Sequence, residues 1–160
     1  MMDVVIDTDI LSTLIKVGKA GLLQKLFPKS KILLCPAVHS EISRAVKLGI
    51  LDSMPTGLSE VELTSSEKGL AVEIAGSAPL GAADVECLAV AKGRGCLLLS
   101  NDRQVGNKAI SFGVDRMSLP LILRELWKAG VLPKTDVQML SDEIEKKDRI
   151  VIKNKGLIFG

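Results

Sequence analysis

Two aspartates, Asp7 and Asp9, directly follow the apolar run near the start of the sequence. A carboxylate at the end of a buried strand needs water, a cation or a hydrogen-bond donor. Asp102 stands in a similar place, two residues after the apolar run 96–100. Because ligands of open parallel sheets bind at the carboxyl ends of the strands, we expect Asp7 and Asp102 to meet at one edge of a sheet.

Two further acids can reach the same edge. Glu41 lies about a turn and a half into the helix predicted after the second strand, and Asp84 lies in the first turn of a later helix. Carboxylates gathered in a dry cleft cannot all stay ionised unless a cation joins them. Oxygen ligands of this kind suit Mg²⁺ or Mn²⁺, which can activate water and stabilise charge on a phosphate. The set Asp7, Glu41, Asp84 and Asp102 therefore predicts metal-dependent phosphodiester hydrolysis.

Several polar neighbours of these acids have two interpretations each. Asp9 fits a helix N-cap better than a metal ligand. Glu86 lies about 200° round the helix from Asp84, so the two cannot face one metal ion equally. Glu86 therefore either supports the metal ligands without binding the ion itself or is solvated. Thr8, Ser100 and Asn101 either hydrogen-bond a ligand or an acid of the site, or make local turn bonds.

Phosphate contacts are harder to place, because the basic residues are scattered along the chain. Arg103 and Lys108 follow Asp102 closely and are the best candidates for contacts to a phosphate backbone. Solvated surface charge explains them equally well. The net charge of +2 argues neither for nor against a nucleic-acid partner.

The elements that must position these residues alternate between strands and helices. Strands are predicted at 2–7, 31–35, 61–63, 96–100 and 113–116. Helices are predicted at 9–17, 20–27, 36–47, 66–76 with Ser66 as cap, 82–92, 104–111, 118–129 and 134–148. The alternation and the near-continuous apolar strands predict an α/β fold with a parallel sheet covered on both faces.

The length of 160 residues fits one compact domain with a short appendage. We predict a main domain over 1–130 and a C-terminal helical extension over 131–160, packed on the domain or projecting from it. The charged helix 134–148 opens this extension, and its last stretch reads as a strand or a docking tail.

Composition narrows the possible chemistry and location. His39 is the single histidine, which argues against a Ser-His-Asp triad and a histidine-rich metal site. No apolar run reaches about 18 residues, so we expect no membrane span. The sequence opens without a signal peptide, and we expect a cytoplasmic protein.

Four segments together resemble the PIN-domain family of nucleases. They are V-I-D-T-D-I-L (5–11), P-A-V-H-S-E-I (36–42), G-A-A-D-V-E-C-L-A-V-A (81–91) and L-L-S-N-D-R (98–103). The resemblance implies a three-layer α/β/α domain with a central, mostly parallel sheet. It also implies that Asp7, Glu41, Asp84 and Asp102 bind Mg²⁺ or Mn²⁺, with Ser100 as the family's small hydroxyl residue.

The function implied by the resemblance is cleavage of single-stranded RNA. Many small prokaryotic members are toxins paired with an antitoxin protein, and they often form homodimers. The longer C-terminal part of this chain departs from the shortest toxins.

Two other functions stay open at the level of sequence. A PIN-like domain can persist as a catalytically silent binding module, although the full set of acids argues against this here. Haloacid-dehalogenase-like phosphatases carry two aspartates after their first strand, as Asp7 and Asp9 do, but Leu11 replaces their expected Thr or Val. Such a phosphatase would form a covalent phospho-aspartate, which a metal-dependent nuclease does not need.

Overall fold

The computed structural model describes residues 2–160, and its elements alternate as the sequence predicts. The strands are β1 Val4–Ile6, β2 Ile32–Leu34, β3 Ser59–Glu60, β4 Leu97–Leu99 and β5 Arg116–Met117. The helices are α1 Thr8–Lys16, α2 Leu22–Leu26, α3 Pro36–Lys47, α4 Ser65–Ser77, α5 Ala82–Arg94, α6 Arg103–Ser111, α7 Leu119–Lys128, α8 Lys134–Asp148 and α9 Lys155–Phe159.

The five strands form one parallel sheet in the order β3-β2-β1-β4-β5. β1 lies at the centre, and Ile6 at its end pairs with Leu99 at the end of β4. The chain winds outward in one direction from β1 to β3 and in the other from β4 to β5. The order therefore reverses between β1 and β4, which is where ligands of doubly wound sheets bind.

The central strands are short apolar segments buried on both sides. β1 and β2 are fully buried, and helices flank the sheet. Burial on both faces explains why these strands are runs of Val, Ile and Leu without alternation. The prediction of an α/β fold with a central parallel sheet is confirmed.

Four local predictions were wrong. The third strand is Ser59–Glu60 rather than 61–63, and the fifth is Arg116–Met117 rather than 113–116. Helix α1 starts one residue earlier than predicted, so Asp7 is its N-cap and Asp9 lies in its first turn. Thr64, not Ser66, caps α4, because Thr64 and Glu67 form a reciprocal capping box.

The C-terminal part packs against the rest of the chain. Helix α8 contacts α1 and α7, and α9 contacts α7. Asp148 at the end of α8 accepts hydrogen bonds from Thr13 and from Lys16 of α1, at 2.5 and 2.6 Å. Trp127 donates its indole N–H to the carbonyl of Ile158 at 2.8 Å. The segment 149–154 forms no strand, and Ile158 of α9 is buried, so the end of the chain is a docked tail.

None of the helices within residues 2–160 combines the length and the apolar character that crossing a bilayer requires.

Candidate active site

Asp7 and Asp102 extend from the carboxyl ends of β1 and β4, at the point where the strand order reverses. Each uses one carboxylate oxygen to cap the next helix: Oδ1 of Asp7 accepts from the N–H of Ile10 at 2.9 Å, and Oδ1 of Asp102 accepts from the N–H of Val105 at 3.0 Å. The cap fixes the orientation of each side chain.

Asp7 is the more deeply buried of the two, with 2% of its surface exposed. Its Oδ2 is buried and has no hydrogen-bond partner within residues 2–160. The pKa of this carboxyl is raised from 3.8 to about 6, mainly by burial and to a smaller extent by the negative charges of Asp9 and Asp84. The Ser100 hydroxyl and the N–H of Ile10 oppose that rise in pKa only in part. A buried carboxylate oxygen without a donor requires a proton or a cation.

Asp84 and Asp9 have raised pKa values for related reasons. For Asp84 the main cause is burial, followed by the negative charges of Asp102 and Asp9, and a smaller contribution comes from Glu41. For Asp9 burial is again first, and Asp102 and Glu41 follow. Asp84 thus interacts electrostatically with Asp7, Glu41 and Asp102, and Asp9, for which the sequence favoured a capping role, joins this group of acids.

The donor chemistry of this cluster fits a hard divalent cation. Every donor is a carboxylate oxygen, which Mg²⁺ and Mn²⁺ prefer, and Oδ2 of Asp7 has no partner in the protein. In the present conformation, no three acidic, histidine or cysteine side chains of residues 2–160 are arranged to hold one ion. Mg²⁺ keeps several waters and binds through one or two carboxylates, so a closed protein cage is not required.

Two polar contacts position Glu41. The Thr8 hydroxyl donates a hydrogen bond to Oε2 of Glu41. Glu86 accepts from the N–H of Ala37 at 2.8 Å, at the start of α3, where Cys35 offers no side-chain cap. Glu86 thus acts as the cap of the helix that carries Glu41.

Ser100 and Asn101 also make contacts within the protein. The Ser100 hydroxyl is fully buried and accepts from the N–H of Asp102 at 3.3 Å. The side-chain oxygen of Asn101 accepts from the N–H of Leu119 at 3.2 Å, which caps α7 in place of Ser118. Both residues therefore stabilise the loop that carries Asp102.

A cavity of about 360 Å³ opens beside the acids. Asp9 and Asp102 line it, together with Lys16, Asp148 and Ile150, which sequence analysis did not select. The only local signal was the spacing of Asp9 two residues after Asp7. Asp148 and Ile150 reach the cavity because α8 packs on α1, and no local sequence pattern encodes that packing.

The two basic residues selected from the sequence lie in different surroundings. Arg103 is exposed at the start of α6 and lines a second cavity, which adjoins the first. Lys108 lies on the same helix but lines neither cavity. Arg103 and Lys108 are five residues apart, which corresponds to about 140° round the helix, so their side chains point in different directions.

Comparison with known proteins places the chain in a family. A family model, DUF3368, described as a PIN domain, matches residues 3–156. The chain belongs to the PIN-domain family, as its resemblance predicted. PIN domains are generally nucleases that act on nucleic acids and typically use divalent metal ions. A search of the curated proteins found no match to the chain.

Proposed function

We propose that this protein is a metal-dependent ribonuclease that hydrolyses phosphodiester bonds of single-stranded RNA. The observation that carries the proposal is the buried, unpartnered Oδ2 of Asp7 among acids that raise its pKa. These acids lie at the strand ends where α/β sheets bind ligands. Membership of a family of nucleases supports the same reaction.

Asp7, Glu41, Asp84 and Asp102 would hold Mg²⁺ or Mn²⁺. When bound, the ion supplies an activated water and stabilises charge on the phosphate. The protein's own contribution is to hold the acids in place: helix caps fix Asp7 and Asp102, and the Thr8 hydroxyl fixes Glu41. Asp7 lies in a buried environment of low dielectric constant, which strengthens its interactions with other charges.

The direct test is cleavage of a labelled single-stranded RNA with Mn²⁺, with Mg²⁺ and with EDTA. We expect cleavage that needs the ion and is lost in Asp102→Asn. Asp142→Asn is the matched control, because Asp142 is an exposed acid that lines neither cavity. Cleavage that survives Asp102→Asn would place the reaction elsewhere.

The same experiment separates the two alternatives. If wild type cleaves no RNA of several sequences, the chain is a catalytically silent binding module. A phospho-aspartate trapped at Asp7 would instead indicate a phosphatase of the haloacid-dehalogenase kind.

A measurement independent of activity tests the metal. Binding of Mn²⁺ to the folded state alone raises the melting temperature by mass action. We expect this rise in wild type and a much smaller one in Asp7→Asn. An equal rise in both would contradict a metal site at Asp7.

A toxin role extends the proposal and rests on the family resemblance. A toxin-type nuclease would act in the cytoplasm, where its RNA substrates are, and an antitoxin protein would block the acidic cavity. Expression of wild type should then arrest growth, and Asp102→Asn should not. A homodimer is expected on the same ground, and light scattering of the purified protein measures it.

A further inference from the structure

A second cavity, of about 510 Å³, continues from the acidic one. Asn101, Leu119 and Ile150 line both, so the two form one groove. The second cavity lies between the start of α6, the end of β5 and the tail segment 150–154. We call it the tail groove.

The charge of the tail groove is opposite to that of the acidic cavity. Arg103, Arg116 and Lys153 line it, and none of its lining residues is acidic. Within residues 2–160 none of these three cations forms an ion pair, although five other basic residues do. All three are exposed. Three cations without an acidic neighbour give the groove a positive potential, which attracts anions.

Arg116 is held in this groove by its surroundings. Its Nη1 donates to the carbonyl oxygen of Ser100 at 3.0 Å, two residues before Asp102. Its guanidinium also lies against Gly106 of α6, where an added Cβ would stand 2.7 Å from Cζ. Because position 106 is a glycine, there is room for the guanidinium. The hydrogen bond from Arg116 to Ser100 then links the groove to the loop that carries Asp102.

Lys153 is held at the opposite wall by the docked tail. The neighbouring Ile152 is buried, and its N–H donates to Glu145 of α8 at 3.0 Å. Lys155 pairs with the same carboxylate at 2.6 Å. These contacts fix the backbone on both sides of Lys153, whose side chain stays exposed.

We infer that the tail groove binds the phosphodiester backbone of the RNA strand where it passes beyond the acidic cavity. This inference rests on the proposed function and assigns a role to the C-terminal segment. Arg103, Arg116 and Lys153 bind successive phosphates. The accessible apolar side chains of the groove, the half-buried Ile150 and the 78% exposed Val151, contact the nucleosides.

Binding of a fluorescein-labelled 15-nucleotide polyuridine tests the inference, measured by anisotropy with Mg²⁺ on an Asp102→Asn background that keeps the RNA intact. The groove variant is Arg103→Ala with Lys153→Ala. Its matched control is Lys68→Ala with Lys92→Ala, which removes the same charge from exposed lysines outside every cavity described. We expect about a tenfold or greater loss of affinity in the groove variant only. The slope of the logarithm of the binding constant against the logarithm of the salt concentration should also fall in magnitude by about 1.4, because two phosphate contacts are lost.

Gly106→Ala provides a second variant without a change of charge. The added methyl group displaces the Arg116 guanidinium, while alanine favours the helix. We expect weaker RNA binding with an unchanged or raised melting temperature. Affinity equal to the parent in Gly106→Ala, or an equal loss in the groove variant and its lysine control, would overturn the inference.

Hydrolysis of bis(p-nitrophenyl) phosphate with Mn²⁺, on the wild-type background, separates this inference from the proposed function. The small diester is too short to span the groove, so its hydrolysis by the wild-type protein reports on the acidic cavity alone. RNA binding through the groove without any hydrolysis would support the inference and contradict the nuclease. Cleavage of RNA by the wild type, with an affinity for RNA that the groove variant does not reduce, would support the nuclease and contradict the inference.

Discussion

Two buried carboxylates in this protein have opposite surroundings. Glu67 and Asp7 are 3% and 2% exposed. Glu67 accepts hydrogen bonds at both oxygens, from Nε and Nη2 of Arg94 at 2.8 and 3.0 Å and from the N–H of Thr64 at 2.9 Å. Arg94 is the main reason why the pKa of Glu67 is lowered. The pair joins α4 to α5, the helix that carries Asp84.

Asp7 has the same burial and lacks those partners. One of its oxygens caps a helix and the other has none, while its charged neighbours Asp9 and Asp84 are negative. Burial of an acid is therefore not by itself a sign of function. The difference is whether the protein supplies a compensating positive charge, as it does for Glu67, or does not, as at Asp7.

Catalysis should distinguish the two acids most strongly. We expect Asp7→Asn to reduce RNA cleavage by about 10³-fold or more, because a ligand of the reacting centre is lost. Glu67→Gln should retain cleavage close to wild type below its melting temperature. Single-turnover rates at saturating Mn²⁺ measure both. A comparable loss of cleavage rate in the two variants would contradict the different roles of Asp7 and Glu67.

Stability should show the reverse pattern. Glu67→Ala removes the partner of Arg94 and the side-chain half of the capping box, while the Thr64 hydroxyl still accepts from the N–H of residue 67. We expect a loss of about 2 kcal/mol, less than for a fully buried pair, because 31% of the Arg94 side chain is exposed and can be hydrated. Urea denaturation measures it, with Glu73→Ala, an exposed acid on the same helix, as control. A loss no larger than that of the control would show that the pair is not structural.

Asp7→Asn should stabilise the metal-free protein, in contrast to Glu67→Ala. The folded pKa of Asp7, about 6, exceeds its usual value of 3.8, so the folded state binds the proton more tightly. Stability therefore falls as pH rises from about 4 to 6 and stays low above that range. Asparagine keeps the helix cap and removes the charge, so we expect a gain of about 2 kcal/mol at pH 7 after the cost of an unpaired amide.

At pH 4 and below the gain should vanish, because Asp7 is then protonated in wild type. Urea denaturation in EDTA at pH 4 and pH 7 tests both halves of this prediction. A gain at pH 7 that persists unchanged at pH 4 would mean that charge is not its cause.

Local sequence patterns predicted the strand-end acids better than the contacts around them. Asp7 and Asp102 follow apolar runs, and the carboxyl ends of parallel strands lie at the same edge of a sheet. Their proximity could therefore be predicted from the sequence alone. The Thr64–Glu67 capping box was also readable, from T-S-S-E, although the cap was predicted at Ser66. The positions of Asp148 and Lys153 could not be predicted. Asp148 lines the acidic cavity because α8 packs on α1, where it contacts Thr13 from more than 130 residues away, and Lys153 lines the tail groove because the segment after α8 docks on the domain.

Glu86 is only partly buried and accepts one hydrogen bond from the protein, so its surroundings are intermediate between those of Glu67 and Asp7. Its substitution should have the smallest effect on stability and on cleavage. Its carboxylate caps α3 through the N–H of Ala37, across 49 residues of sequence, so Glu86→Ala should cost about 1 kcal/mol of stability. Cleavage should fall only severalfold, because Glu41 moves with α3. Glu86→Gln, which can still accept the hydrogen bond, should restore most of both. If Glu86→Ala instead abolished cleavage with stability intact, and Gln did not rescue it, Glu86 would belong with Asp7 among the groups that act on the ligand.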